Sequence, residues 1–193
     1  MVMEIFNQFN FLDVVILIIL FRICYIAVKM GLAVEFFKLL GVLFSIYFAS
    51  HYYTYFSDMI QQRFIPGGMP LEFMDFIIFI ILACAVYLVF VLLRVTFSRF
   101  MKMEAAPKIN KYGALILSLA RGYFTVGLLI YVLMISSVSY LSNSVKHSYL
   151  GSRSFSISAQ TYNWIWESIL SKFSPQEKPN SVVNEVRDNF IKK

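Results

Sequence analysis

The chain has 193 residues, of which 59% are hydrophobic and 15% charged, with a mean hydropathy of +0.70. Soluble domains carry roughly 45–50% apolar and about 25% charged residues, so this composition excludes an ordinary water-soluble enzyme and makes the lipid bilayer the main solvent and partner. The formal charge of +6 would suggest nucleic acid in a soluble domain, but in a membrane chain basic residues first follow the positive-inside rule, and no nucleic-acid partner is expected.

No Lys or Arg precedes Arg22, and no small-residue cleavage site follows the first apolar run. The sequence therefore predicts a retained first helix rather than a signal peptide. A spanning helix needs about 20 largely apolar residues, each rising about 1.5 Å. Four segments qualify, near residues 9–28, 36–56, 73–97 and 112–138. The expected fold is all-α, a polytopic membrane bundle of about four transmembrane helices over residues 1–140. A polar tail follows over residues 141–193. The turn-rich stretch 61–70, with Pro66-Gly67-Gly68, separates the second and third spans. Between the first and second, Gly31 is the sole breaker, which leaves two readings: a tight hairpin over residues 28–35, or a long helix entering at a slant.

Orientation follows from Lys and Arg in short loops. Arg22, Lys29 and Lys38 flank the first connection, and Arg94, Arg99, Lys102, Lys108 and Lys111 flank the third. Both connections are expected in the cytoplasm, with the two termini outside. The aromatic run His51-Tyr52-Tyr53-Thr54-Tyr55-Phe56 then falls at the outer interface.

Membrane helices associate through small residues that let backbones approach. Gly41, Ser45 and Ala49 recur every four residues in the second span, and Ala114, Ser118 and Gly122 do so in the fourth. Ala27 and Gly31 make a shorter stripe. These ridges predict either contact between spans two and four or a homo-oligomer contact.

Three charges stand out. Arg121 lies deep in the fourth span, where an unaccommodated cation costs about 2.5–3.5 kcal/mol on insertion scales. It can snorkel to the interface, or it can pair with Glu35 at the inner end of the first hairpin. Asp13, three residues after Asn10, suits the first turn of a capped helix; the other reading is a proton or ion site.

The series Ala27-x3-Gly31-x3-Glu35-x5-Gly41, followed by Ala49-Ser50-His51-Tyr52-Tyr53-Thr54-Tyr55, resembles the colicin V production protein family (CvpA) of bacterial inner membranes. The start Asn10-Phe11-Leu12-Asp13 fits the same pattern. Before its last span that family shows Asp-Arg, two glycines four apart and Arg-Gly. Here the stretch reads Asn110-Lys111-Tyr112-Gly113-Ala114, then Ser118, then Arg121-Gly122. The Arg-Gly pair is kept, while Asn110 replaces a carboxylate and Ala114 and Ser118 replace glycines. The resemblance covers residues 8–140. It implies a four-span inner-membrane protein linked to colicin V or other toxin production or export and to envelope homeostasis, with export or envelope proteins as partners.

His51 and His147 lie far from any metal-ligand spacing, and Cys24 and Cys84 sit in apolar runs. No phosphate-binding glycine loop and no Gly-x-Ser-x-Gly elbow occurs. No metal, cofactor or catalytic residue is expected, and the chain is read as a non-enzyme. In the tail, Tyr162, Ile165, Trp166, Ile169 and Phe173 share one helical face near residues 160–173, and Trp164 and Trp166 suggest an interfacial helix, with docking on the bundle or on a partner as the other reading. Val182, Val186 and Phe190 would line a further short helix. Two functions compete: a membrane accessory or adaptor, and a small oligomeric channel or transporter whose path is lined by Asp13, Glu35 and Arg121.

Overall fold

The first helix begins where the sequence supplies caps for its free N–H groups. In the computed structural model, which describes residues 10–64, 70–100, 107–136, 138–173 and 176–191, the Asn10 side chain accepts from Phe11 N at 2.7 Å and the Asp13 carboxylate accepts from Asn10 N at 2.8 Å. This reciprocal capping box opens α1, Phe11–Met30. Gly31 ends it at φ 86°, a left-handed backbone that only glycine adopts freely, with its N–H on Ala27 O at 3.1 Å. Leu32 then starts α2, Leu32–Phe64. The joint between the first two spans is thus one residue, Gly31, which lies inside the 28–35 stretch, and not an unbroken helix.

α3 covers Leu71–Phe100 and α4 covers Pro107–Ile135. Proline suits the first helical position of α4, where the N–H it lacks would have no intrahelical partner. The central turn of the expected 61–70 loop, residues 65–69, lies outside the described residues, as do Lys102 and the side chain of Arg99. α2 and α3 run antiparallel, because Tyr53 meets Phe79, Phe44 meets Phe90 and Phe37 meets Phe97 in reverse order. α1 packs mainly on α4, and hardly on α2.

Each of these four helices is long and apolar enough to cross a membrane. The molecule is an all-α, multi-pass membrane protein, with no strand among the described residues. α3 is the most apolar, with a mean hydropathy of 3.3 and 17% of its apolar window buried, so most of its surface is left for lipid. The bundle has two ends. At the Gly31 end α1 passes into α2; at the Asp13 end α1 and α3 begin and α2 and α4 finish.

The tail is more helical and more buried than its polarity suggests. α5, Ser139–His147, is followed by α6, Tyr149–Ile165, which continues through a π-helical turn, Trp166–Leu170, into Ser171–Phe173; α7 covers Ser181–Ile191. Phe155, Tyr162 and Val183 are as fully buried as Ile46, Phe79 and Ile130 of the spans, and all belong to one apolar cluster. Val182, Val186 and Phe190 pack on that cluster as the spacing predicts, with the Phe155 and Phe190 rings 4.2 Å apart.

The expected single apolar face over residues 160–173 is split. Tyr162 and Trp166 turn inward, whereas Ile169 and Phe173 are exposed, Phe173 at 81%. The π-helical turn between them explains this, since its wider i→i+5 winding breaks the three-and-four spacing on which the face was drawn.

Candidate functional site

Two clusters of buried polar groups hold the expected site residues, one at each end. At the Gly31 end, Glu35 sits in the first turn of α2 and is completely buried. Its Oε2 accepts from Arg121 Nε at 2.8 Å, and its Oε1 accepts from Lys38 Nζ at 2.6 Å. Side chains on a helix lean towards its N-terminus, so Arg121, well along α4, reaches back towards the Gly31 end, where Glu35 waits. Of the two readings of Arg121, the ion pair is the one observed. Nearby, Asn110 Oδ1 accepts from Leu32 N at 2.6 Å. The amide at the position where the family pattern has Asp-Arg thus satisfies a free N–H at the start of α2 without needing a charge.

At the Asp13 end, Asp13 is also fully buried. Besides Asn10 N it accepts from Ser148 Oγ at 2.7 Å, Leu150 N at 2.7 Å and Tyr149 N at 3.2 Å. The Ser148 side chain in turn caps α6 by accepting from Gly151 N at 2.9 Å. One carboxylate therefore closes the N-termini of two helices, α1 and α6, and its charge lies against the positive ends of both dipoles. Capping of α1 was legible in the sequence; the second helix was not.

The small residues pack as ridges, but not against each other. Gly41 faces Tyr87 and Phe90 of α3, and Ser45 donates to Ala83 O at 3.0 Å. Gly122 faces Leu20 and Ile23 of α1, and Ser118 Oγ lies 3.9 Å from Cys24 Sγ. Spans two and four do touch, as expected. Ala27, Ala49 and Ala114 are wholly buried, and Gly31 lies so close to Asn110 that an added Cβ would come within 2.8 Å of its Oδ1. Gly41, Ser45, Ser118 and Gly122 are thus engaged inside one chain.

A third cluster, not singled out by the sequence, ties the tail to α2. Tyr162 OH accepts from Asn180 N at 2.7 Å and lies 3.0 Å from His51 Nδ1. Asn180 Nδ2 donates to Ser50 O at 2.8 Å and to Thr54 Oγ1 at 3.1 Å. Burial raises the Tyr162 phenol above its usual range, partly offset by the Asn180 bond, so the hydroxyl stays protonated and can serve His51 as well. Trp166 stacks on His51 with ring centroids 5.3 Å apart, whereas Trp164 is 61% exposed. Trp166 is thus a core residue, and Trp164 alone of the pair faces outward. No group of three metal-ligating side chains occurs among the described residues.

The sequence profile described as "Colicin V production protein" matches residues 12–174. The chain belongs to the colicin V production protein family. The match extends past residue 140, beyond the reach of the resemblance, and takes in α5 and α6, the two tail helices that Asn10 and Asp13 respectively tie to the start of α1. No curated protein and no solved structure matches the chain. Within the family's stretch, the Ala27–Gly31–Glu35 series forms the joint between α1 and α2 and Arg121 closes it against α4, so the motif residues meet in space at one place.

Proposed function

We propose that this member of the colicin V production protein family is a non-enzymatic accessory protein of the bacterial inner membrane. It supports colicin V or other toxin production or export, and envelope homeostasis, by presenting a rigid helical platform to export or envelope proteins. The observation that carries this reading is the bonding of the buried charges. Glu35 is held by Arg121 and Lys38, and Asp13 by four donors, so each acts as a link between helices. Membrane segments keep charged groups where they pair or where they serve a pathway, and here both carboxylates are bonded within the chain. In this reading both termini lie outside the cytoplasm, which the gathering of Lys and Arg at the Gly31 end supports.

A second reading, a small channel or transporter for ions or solutes, is favoured by one observation. A cavity of about 510 Å³ at the Asp13 end is lined by Glu72, Asp75, Lys146 and Tyr53, a polar set suited to a solute vestibule. A homo-oligomeric version would have to join subunits through faces other than the two small-residue ridges. Ion and small-solute flux through purified protein in liposomes separates the two. The accessory reading expects none from folded parent protein. Flux that Arg121→Gln abolishes would replace it with the channel.

A further inference from the structure

Among the described residues at the Gly31 end the buried charges do not balance. One carboxylate, Glu35, sits between two cations, Lys38 and Arg121, whose side chains are each about 10% exposed. A net formal charge of +1 is left among the helices. The other described carboxylates of α1 to α4, Asp13, Asp58, Glu72 and Asp75, all lie at the opposite end. Arg94 of α3 adds a further cation. It lies beside Lys38 over a closed crevice walled by Phe37, Tyr87 and Phe90 that is too tight to admit water, and among the described residues no carboxylate bonds to it.

Tyr87 also walls a second space. A groove of about 410 Å³ is lined by Val42, Ala83, Leu88 and Leu128, with Cys84 and Arg121 on its wall. It opens between α3 and α4, which pack on α2 far more than on each other, so it faces the hydrocarbon. Uncompensated cations beside an apolar slot are complementary to a molecule with an anionic head and an alkyl chain.

We propose that Arg94 and this groove bind one anionic phospholipid, with the phosphate outside the closed crevice against Arg94, which is partly exposed, and an acyl chain along the groove beneath Tyr87. Basic pockets between membrane helices hold acidic headgroups, and each Lys or Arg near the surface strengthens the attraction about five-fold. The lipid phosphate supplies the negative charge that Glu35 alone does not, and its chain fills the space that α3 and α4 leave open.

The test uses full-length protein in phosphatidylcholine vesicles carrying a trace of either chain-spin-labelled phosphatidylglycerol or chain-spin-labelled phosphatidylcholine. The motionally restricted fraction gives the relative association of the two lipids. The parent is expected to select phosphatidylglycerol by at least five-fold. Arg94→Gln, which leaves the Glu35 ion pairs intact, should lower that selectivity about five-fold. Cys84→Trp, which fills the groove while removing no charge, should abolish the selectivity. Lys108→Gln with Lys111→Gln, two exposed cations on α4 away from the crevice, should leave it in place. Equal association of the two lipids with the parent overturns the proposal, and so does a loss from the Lys108 and Lys111 pair equal to that from Arg94→Gln. Suppression by inorganic phosphate at equal concentration would show a site for a small anion, and overturns it too.

Discussion

Asp13 and Ser148 lie 135 positions apart in the chain, yet the Ser148 hydroxyl donates to Asp13 Oδ1 at 2.7 Å with both side chains out of reach of solvent. Because Asp13 also accepts from Tyr149 and Leu150 N–H, it stands in for the preceding turn that α6 lacks. Asp13→Ala leaves those donors buried and unpaired, at about 1–3 kcal/mol for each group left without a partner. We expect a fall of roughly 3 kcal/mol in detergent unfolding and early proteolysis within α6 while α3 stays protected. Unchanged α6 protection would show that the cap is dispensable.

The Glu35 cluster makes an asymmetric prediction. Arg121→Gln leaves Glu35 with Lys38 as partner, whereas Glu35→Gln leaves two buried cations and no anion. Breaking a buried pair from one side costs about 3–5 kcal/mol, and Glu35→Gln should fall at the top of that range with Arg121→Gln clearly below it. Exchanging the charges, Glu35→Arg with Arg121→Glu, should not restore stability, since the new arginine would lie three residues from Lys38. The neutral double change, Glu35→Gln with Arg121→Gln, should recover part of the loss. Equal effects of the two single changes in thermal unfolding would mean that Lys38 does not share the carboxylate.

Much of this was written in the chain, and what was not has a physical reason. Hydropathy over 20-residue windows is a bilayer-scale signal, so four spans are legible, and the Glu35–Arg121 pair is legible only as one of two readings, because a long cation in a membrane can either find a partner or snorkel to the interface. The double role of Asp13 is hidden, because its second helix is distant in sequence and the Ser-rich stretch 142–158 reads as polar. That stretch folds inward all the same: Ser144, Ser148 and Ser158 are buried beside Val145, Phe155 and Ile157. Periodicity also misplaces residues after Ile165, where the π-helical turn changes the winding.

Two buried serines of the tail should behave in opposite ways. Ser148 bonds Asp13 and caps Gly151 N, whereas the Ser158 hydroxyl has no partner among the described residues. Ser148→Ala should cost about 1–2 kcal/mol, the usual loss of a helix cap. Ser158→Ala removes an unsatisfied buried hydroxyl and should be neutral or stabilising. Thermal unfolding of both variants in one detergent settles it, and a destabilised Ser158→Ala would reveal a partner for that hydroxyl.

Asn180 should govern α7 alone. It accepts from Val182 N at 3.1 Å at the start of that helix, donates to Ser50 O and Thr54 Oγ1, and through its N–H holds Tyr162. Asn180→Ala should release α7 so that amide exchange over residues 181–191 speeds up sharply, with α1 to α4 unaltered. Exchange that rises equally across the bundle would mean that α7 unfolds with the core rather than from it.

The glycines rank by what surrounds them. At Gly31 an alanine meets a backbone at φ 86° and would bring its Cβ to 2.8 Å from Asn110 Oδ1, the atom that caps Leu32. At Gly41 the backbone carries no such strain, and the nearest atom is Phe90 Cβ at 3.1 Å. A left-handed conformation alone costs roughly 1–2 kcal/mol for an L side chain, and displacing Asn110 adds the loss of a cap of about 1 kcal/mol. Gly31→Ala should therefore destabilise by roughly 2–3 kcal/mol and shift α1 against α4. Gly41→Ala needs its neighbour to yield by tenths of an ångström and should cost less. Cross-linking of a cysteine pair at Leu20 and Gly122 reads the α1–α4 contact directly: if Gly31→Ala leaves its yield unchanged while Gly41→Ala lowers it, the one-residue joint does not set the position of α1.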